Sequence, residues 1–470
     1  MMKNKLYSVI LAAYKQSPRK RAALFSLLIV LITVAFLGLV YISNYTILTE
    51  RSAESGLPFL WHLSSQQFQN PLPVGSFVMG IIGFISWSTW LFRMILSRFY
   101  KPLVNDFRTT TSVVVPAYRE DPDIIERCLK TWLSENPTEI IVVVDVEDVG
   151  VLERLKRYED DKRLRVIPFQ HQGKRSALGV GIRAARYEIL ILADSDTAWE
   201  PGLLDALQMP FVDPTVGGVG TRQNAVLRES SAWRIIADWL VNIRYLDYVP
   251  VESMFGGVAC LSGRTAAYRL SVVKPVLTNL EYEYFMGKLC VAGDDGRLTW
   301  LVLSQGYKTV YQSSARAWSM FPNEMKAFIK QRVRWSRNSY RCYLTAVSKG
   351  WLWKQSLVTQ IRALQILLTP LTQLFALAYI FWMVIQSLWL LAAAGLVWLF
   401  IGRLIRSISH LYEHPKDIWL LPLLTIIVIT VALPIKTWSF ITMNTHGWLT
   451  RTATSKGGEG QSEDSLLMAS

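Results

Sequence analysis

The residues with the most chemical potential stand at the ends of apolar runs. Val142-Val143-Val144 leads directly into Asp145, and Leu190-Ile191-Leu192-Ala193 leads into Asp194-Ser195-Asp196. A carboxylate just past a buried strand stands on the edge where parallel sheets bind ligands. Two carboxylates two residues apart can share one hard cation, Mg2+ or Mn2+, which prefers oxygen donors and phosphate. Such a cation would offset charge on a diphosphate leaving group. An isolated Asp-x-Asp also occurs in surface turns, and Asp145 could be an ordinary helix cap. Between these acids, Gly173 opens a helix with Lys174 and Arg175 in its first turn. Cations are disfavoured there, a local cost that a bound phosphate would offset. Farther on, Gly293-Asp294-Asp295-Gly296-Arg297 sets two carboxylates side by side. Neighbouring acids raise each other's pKa, which can poise one as a base. Gln331-Arg332-Val333-Arg334-Trp335 then opens a basic, aromatic helix through Tyr343. Arginine can grip a diphosphate bidentately, and a tryptophan face stacks on a sugar ring. An amphipathic helix with snorkelling arginines accounts for the same pattern, and the two readings are compatible.

These groups need a scaffold that brings strand ends together. Strand-length apolar runs at 112–115, 140–144, 165–168 and 189–192 alternate with helical spacing at 123–134, 149–158 and 174–186. That alternation predicts crossover units and a parallel sheet. The soluble domain reads as 101–350.

Apolar stretches flank it. Residues 22–42 carry no charge, and 77–94 are nearly as apolar. Each is near the length of a bilayer crossing, roughly 20 residues. Lys3, Lys5, Lys15, Arg19, Lys20 and Arg21 precede the first; Arg98, Lys101 and Arg108 follow the second; the linker between has one basic residue, Arg51. That asymmetry places the amino terminus and the chain after Arg98 in the cytoplasm. Residues 366–385 and 387–402 read as a helical hairpin. A shorter stretch, 418–433, is interrupted by Pro422 and followed by Pro434. One crossing there puts the carboxyl end outside; a re-entrant hairpin keeps it inside. The divisions expected are 1–100, 101–350, 351–451 and a disordered tail, 452–470.

Composition agrees. Of 470 residues, 51% are hydrophobic and 18% charged, against about 25% charged in soluble domains. That argues against disorder and against a wholly soluble protein. Fifty basic residues against 36 acidic give +14. In so apolar a chain, positive charge marks loops facing anionic lipid or anionic substrates rather than nucleic acid. Cys128, Cys260, Cys290 and Cys342 form no CxxC pair, which disfavours a zinc site.

In order, these pieces resemble a membrane-embedded family 2 glycosyltransferase, closest to the hyaluronan synthases, with chitin, cellulose and poly-N-acetylglucosamine synthases more distant. The resemblance covers about 77–451. It rests on Asp194-Ser195-Asp196-Thr197, Cys260-Leu261-Ser262-Gly263, Gly293-Asp294-Asp295, Gln331-x-x-Arg334-Trp335-Ser336, and Thr442-Met443-Asn444 with Gly447-Trp448-Leu449-Thr450-Arg451. It implies a GT-A type α/β domain inserted between amino- and carboxyl-terminal transmembrane helices in the plasma membrane. It implies an inverting, processive enzyme that draws on UDP-sugars, UDP-GlcNAc or UDP-GlcA or both, and exports a β-linked polysaccharide through its own channel.

By the same resemblance, Ala117, Tyr118, Glu120 and Asp145 hold uridine. Lys174 and Arg175 face the diphosphate, Asp194 contacts the nucleotide, and Asp196 binds Mg2+ or Mn2+. Asp295 is the general base. Cys260, Ser262, Asp294, Gln331 and Trp335 line the acceptor, with Arg334 on the diphosphate. Trp448, Thr450 and Arg451 belong to a loop that closes over nucleotide, which favours the re-entrant reading of 418–433. Two departures stand out: the family's Gly-Asp-Asp-Arg has Gly296 inserted, and its Trp-Gly-Thr is Trp448-Leu449-Thr450. A non-processive transferase acting on a lipid carrier shares the sheet and the Asp-x-Asp but needs no Gln-x-x-Arg-Trp element.

Overall fold

The computed structural model describes residues 74–170 and 172–445. The described residues fall into two units, 74–99 with Leu374–Ile408 and Tyr100–Gln373 with 409–445. The described chain opens on helix α1 (Val74–Ser97) in the first of these.

In the larger unit, strands β1 (Thr111–Ala117), β2 (Glu139–Asp145), β3 (Leu164–Phe169) and β4 (Ile189–Ala193) alternate with helices α2 (Pro122–Ser134), α3 (Val149–Lys156) and α4 (Lys174–Ala184). These lie within a few residues of the expected elements. β1, β2 and β4 are buried along most of their length, as parallel strands covered on both faces must be. The β3-β2-β1-β4 half is fully parallel.

The other half is not legible from alternation. β5 (Thr197–Trp199), β6 (Val216–Ala225), β7 (Thr265–Arg269) and β10 (Lys308–Ser319) complete the order β3-β2-β1-β4-β7-β6-β10-β5. Here β7 runs antiparallel to β4 and β6, and β5 antiparallel to β10. A small hairpin, β8 (Tyr284–Phe285) with β9 (Lys288–Leu289), stands apart. Register levels the strand ends that matter: Ala117 pairs with Val144 and Val114 with Leu192. Tryptophans fix the turn after β4. Fully buried Trp132 of α2 donates to the Thr197 carbonyl at 2.8 Å, and Trp199 Nε1 donates to Thr265 Oγ1 at 3.0 Å. Helices α5 (Ala232–Ile243), α6 (Asp294–Ser304) and α7 (Met325–Ser348) complete this unit's framework. α7 begins six residues before Gln331.

The expected helical hairpin is longer than its apolar core. α8 (Leu357–Ile385) and α9 (Trp389–Glu413) are each long enough to cross a bilayer, as are Gly80–Ser97 and Pro415–Ile441. The last corrects an expectation: 418–433 is the middle of a 27-residue helical stretch. Pro422 and Pro434 do not end it, because each occupies the first turn of a new segment, where no backbone donor is needed. Both its ends are held by the larger unit. At the start, Asp417 pairs with Arg228 and bonds His410 Nε2 at 2.7 Å, and His410 stacks on Trp239. At the end, Phe440 meets Tyr340 edge-on, and Arg337 donates to Thr442 Oγ1 at 2.8 Å. The predicted span at 22–42 lies outside the described residues.

In the smaller unit, glycines let helices approach. Trp87 and Trp398 stack with centroids 3.9 Å apart. A Cβ on Gly83 would sit 2.2 Å from Trp398 Nε1, and one on Gly402 2.7 Å from Trp87 Nε1. Small residues at such crossings drive helix association in lipid. Gly83→Val is therefore expected to destabilise by about 1–3 kcal/mol, read as a lower unfolding temperature in detergent.

Candidate active site

The turn after β4 is the centre. Lys174, at the start of α4, bonds Asp194 Oδ1 at 2.7 Å and Asp294 Oδ2 at 3.0 Å. One ammonium thus joins the Asp-x-Asp turn to the paired acids of α6. Burial works against that ammonium, but the two carboxylates outweigh it and hold its pKa above the ordinary lysine value. Burial pushes the Asp194 carboxyl up, with Asp196 and Asp294 adding repulsion against the pull of Lys174. Burial opposes ionisation of Asp294 too, yet Lys174 overrides it and leaves that carboxyl below the usual range. Ser195 Oγ donates to Glu120 Oε2 at 2.5 Å, tying the β1 end to the same turn. Asp145 closes β2, buried, and accepts from the Glu147 amide at 2.9 Å. Ala117 is buried, and the Arg119 guanidinium lies 5.2 Å from the Tyr118 ring.

Arg175 takes a different direction from the one the resemblance implied. Its guanidinium is buried on Glu283 at 2.8 Å and on the carbonyls of Leu280 and Gly293. Arg297 shares Glu283 at 3.2 Å. The cost of cations at the start of α4 is met by carboxylates of this chain. Arg175 braces the Gly293 turn.

That turn positions the acids. Gly293 has φ +84°, and a Cβ there would lie 2.7 Å from Asn338 Cγ. Asp294 and Asp295 follow in the first turn of α6, where acidic side chains complement the helix dipole. Asp294 is buried; Asp295 is half-buried. Asp295 Oδ1 accepts from the Gly296 amide at 2.8 Å, and its carbonyl accepts from Thr299 Oγ1 at 2.7 Å. Thr299 Oγ1 in turn receives the Leu261 amide at 3.0 Å, which fixes the Cys260-Leu261-Ser262-Gly263 segment against Asp295. Cys260 Sγ lies 3.9 Å from Asp295 Oδ2. Burial, then Asp295, push the Cys260 thiol up to about 12. It stays protonated at neutral pH and is no nucleophile. Gly293→Ala is expected to lose about 1–2 kcal/mol from the left-handed backbone alone, and to lower turnover by displacing Asp295, read by thermal unfolding beside an activity assay.

Helix α7 supplies the aromatic and basic wall. Gln331, Arg334 and Trp335 share one face by their spacing. Gln331 Oε1 is buried with no hydrogen-bond partner among the described residues, and Arg334 is exposed. Trp448, Thr450 and Arg451 lie outside the described residues.

A divalent cation fits this donor set in one way. Among the described residues no three acidic, histidine or cysteine side chains gather as a metal cage. Mg2+ and Mn2+ commonly take one or two carboxylates and complete their shell with substrate phosphates and water. The half-buried Asp196 suits that arrangement. A cation held there would supply positive charge to a diphosphate.

Residues 108–338 match the family described as "Glycosyltransferase like family 2". The chain carries a family 2 glycosyltransferase domain. It is 27% identical over 409 residues to a hyaluronan synthase of Streptococcus pyogenes, covering 84% of this chain and 96% of that one. An N-acetylglucosaminyltransferase of Sinorhizobium fredii is 27% identical over 371 residues, 73% of this chain and 84% of that one. In fold, the chain is similar to a mannosyltransferase from Pyrobaculum calidifontis solved with GDP-Man and Mn2+, at TM-score 0.55 and 18% identity, over 78% of this chain and 98% of that one. The glycosyltransferase domain has the GT-A type fold, an eight-stranded, mostly parallel sheet with apolar helices flanking it in sequence.

Several residues beside the glycosyltransferase site carry no sequence signal. Arg264 is the clearest. Its carbonyl accepts the Asp194 amide at 3.0 Å. Its guanidinium lies 4.1 Å from the Phe321 ring centroid and 5.6 Å from that of Trp335. Arg332 lies 5.0 Å from the Trp335 centroid, and burial, then Arg264, bring it down to about 9. A π-helical turn, Arg244–Tyr248, aims Arg244 at the Cys260 carbonyl. Such turns often mark functional sites. Only contact across the sheet edge shows these residues' place; no spacing announces it.

Proposed function

We propose that this chain is an inverting, processive polysaccharide synthase, hyaluronan synthase-like, that transfers sugars from UDP-sugars to a growing β-linked chain. The observation that carries the reading is the Lys174 bridge. It draws the Asp194-Ser195-Asp196 turn and the Asp294-Asp295 pair into one cluster, with Arg264 reaching from that cluster to Trp335.

In this reading Asp295 removes the acceptor hydroxyl proton as the glycosidic bond forms. Lys174 and Arg334 hold negative charge on the departing UDP. Asp196 holds Mg2+ or Mn2+, and Ala117, Tyr118, Glu120 and Asp145 receive the uridine. Cys260, Ser262, Asp294, Gln331 and Trp335 form the acceptor wall, and the orphaned Gln331 oxygen suits a sugar hydroxyl. No covalent sugar–enzyme intermediate is needed, so one displacement inverts the anomeric centre.

The apolar helices fit a plasma-membrane enzyme with a cytoplasmic transferase domain, which exports its product through its own transmembrane helices. Both ends of Pro415–Ile441 rest on the larger unit, which supports a re-entrant or in-plane course and a cytoplasmic carboxyl end. A label placed at residue 456 should react only after the membrane is opened to reagent from the cytoplasmic side. Reaction in intact cells contradicts that topology.

The protein purified in detergent with Mn2+ and labelled UDP-sugars is expected to release UDP and form polymer. Addition of a single sugar to a lipid instead supports the carrier-linked alternative. Synergy between UDP-GlcNAc and UDP-GlcA identifies a heteropolymer; turnover with one donor alone identifies a chitin- or cellulose-like homopolymer.

A further inference from the structure

The cations around this site fall into two groups. Lys174 is paired with Asp194 and Asp294, and Arg175 and Arg297 share Glu283. Arg264 is different. Among the described residues its guanidinium makes no ion pair, and its contacts are the faces of Phe321 and Trp335. Asp196 and Asp194 attract it without pairing, while Arg334 repels it. Arg332 lies against the same tryptophan, bonded to the Ala237 carbonyl at 3.2 Å. The wall where a sugar would stack is therefore basic, and among the described residues neither guanidinium makes an ion pair.

A half-buried cation with no ion pair among the described residues costs free energy, and a neutral sugar would leave that cost standing. A guanidinium held over an aromatic ring, as Arg264 is over Phe321, can still present N–H donors to an anion. Such donors match a carboxylate bidentately. A pyranose lying on Trp335 would carry a C5 carboxylate at its rim, within reach of such a fork. Without Arg264, Asp194 and Asp196 would repel an acidic sugar from this position.

We propose that Arg264 is a specificity-determining residue that reads the carboxylate of a uronosyl unit, so that the polymer made here is acidic. This rests on the UDP-sugar reading above and deepens it. A diphosphate is the other oxyanion that could meet the fork, and the test separates the two.

The experiment measures kcat/KM for incorporation of labelled uronate from UDP-GlcA and of labelled sugar from UDP-GlcNAc, using the full-length protein in detergent with Mn2+. In Arg264→Met the ratio of uronate to neutral donor is expected to fall by about ten- to a hundredfold, the range of a charge-assisted hydrogen bond. In Arg264→Lys, which keeps the charge but not the fork, it should recover in part. A ratio that stays at the wild-type value, with both donors falling together, overturns the proposal in favour of a diphosphate contact or a folding role. Wild-type protein that uses neutral donors and excludes UDP-GlcA overturns it while leaving the synthase reading intact. Wild-type protein that releases UDP from no UDP-sugar overturns both.

Discussion

Asp295→Asn is expected to lower turnover by about 10²- to 10⁴-fold, the range supplied by a positioned general base, while UDP still binds. The asparagine keeps the shape of the side chain, so the backbone contacts of Gly296 and Thr299 can survive. What it removes is the ability to accept a proton from the incoming hydroxyl. Asp295 is suited to that task because it is half-buried and makes no ion pair among the described residues, whereas Asp294 beside it is buried against Lys174. In the proposed mechanism the two acids thus divide roles: one fixes the turn, the other meets substrate. UDP affinity by calorimetry, measured beside the rate of UDP release, separates loss of chemistry from loss of binding. Near wild-type turnover in Asp295→Asn removes it as the base.

Lys174→Met should be the most damaging change for the architecture of the site. It strands Asp194 and Asp294 beside Asp196, and breaking a buried pair costs roughly 3 kcal/mol or more. The side chains involved are only 20%, 30% and 11% exposed, so solvent compensates little. The sign with pH follows from the shifts. The raised Lys174 pKa stabilises below the ordinary lysine range and is lost only as pH rises through the folded value. The lowered Asp294 pKa stabilises above the ordinary carboxylate range and is lost as pH falls through the folded value. Asp194 runs the other way, since its ionisation is disfavoured in the fold. The deficit of Lys174→Met should therefore be largest near neutrality and shrink toward about pH 4, where the stranded acids take up protons. Thermal unfolding across that range checks it. Adding Asp294→Asn to Lys174→Met should restore part of the loss, because it removes one stranded charge. A deficit independent of pH contradicts the bridge.

The first half of the sheet was legible because parallel strands buried on both faces leave unbroken apolar runs, and crossover helices leave 3.6-residue spacing between them. The second half hides. β5 is three residues long, and β6 reads Val-Gly-Gly-Val-Gly-Thr-Arg-Gln-Asn-Ala, with little apolar pattern. Its glycines are there for close packing: a Cβ on Gly217 would meet Tyr307 at 2.7 Å, and one on Gly218 would meet Leu261 at 2.8 Å. Acids at strand ends could be found because position alone gives them meaning. Arg175 and Arg264 could not be sorted the same way. Both are arginines beside a motif, and only the presence of Glu283 near one and of aromatic rings near the other separates a brace from a cation with no ion pair among the described residues.

The most direct test of the whole account is UDP release coupled to product length. Purified protein is given Mn2+ and UDP-sugars, and the chains are sized while most enzyme molecules have yet to begin. The account predicts steady UDP release with long chains from the outset, both abolished together in Asp295→Asn. Release that yields only single-sugar products contradicts processive synthesis, and no release with any UDP-sugar contradicts the donor site itself.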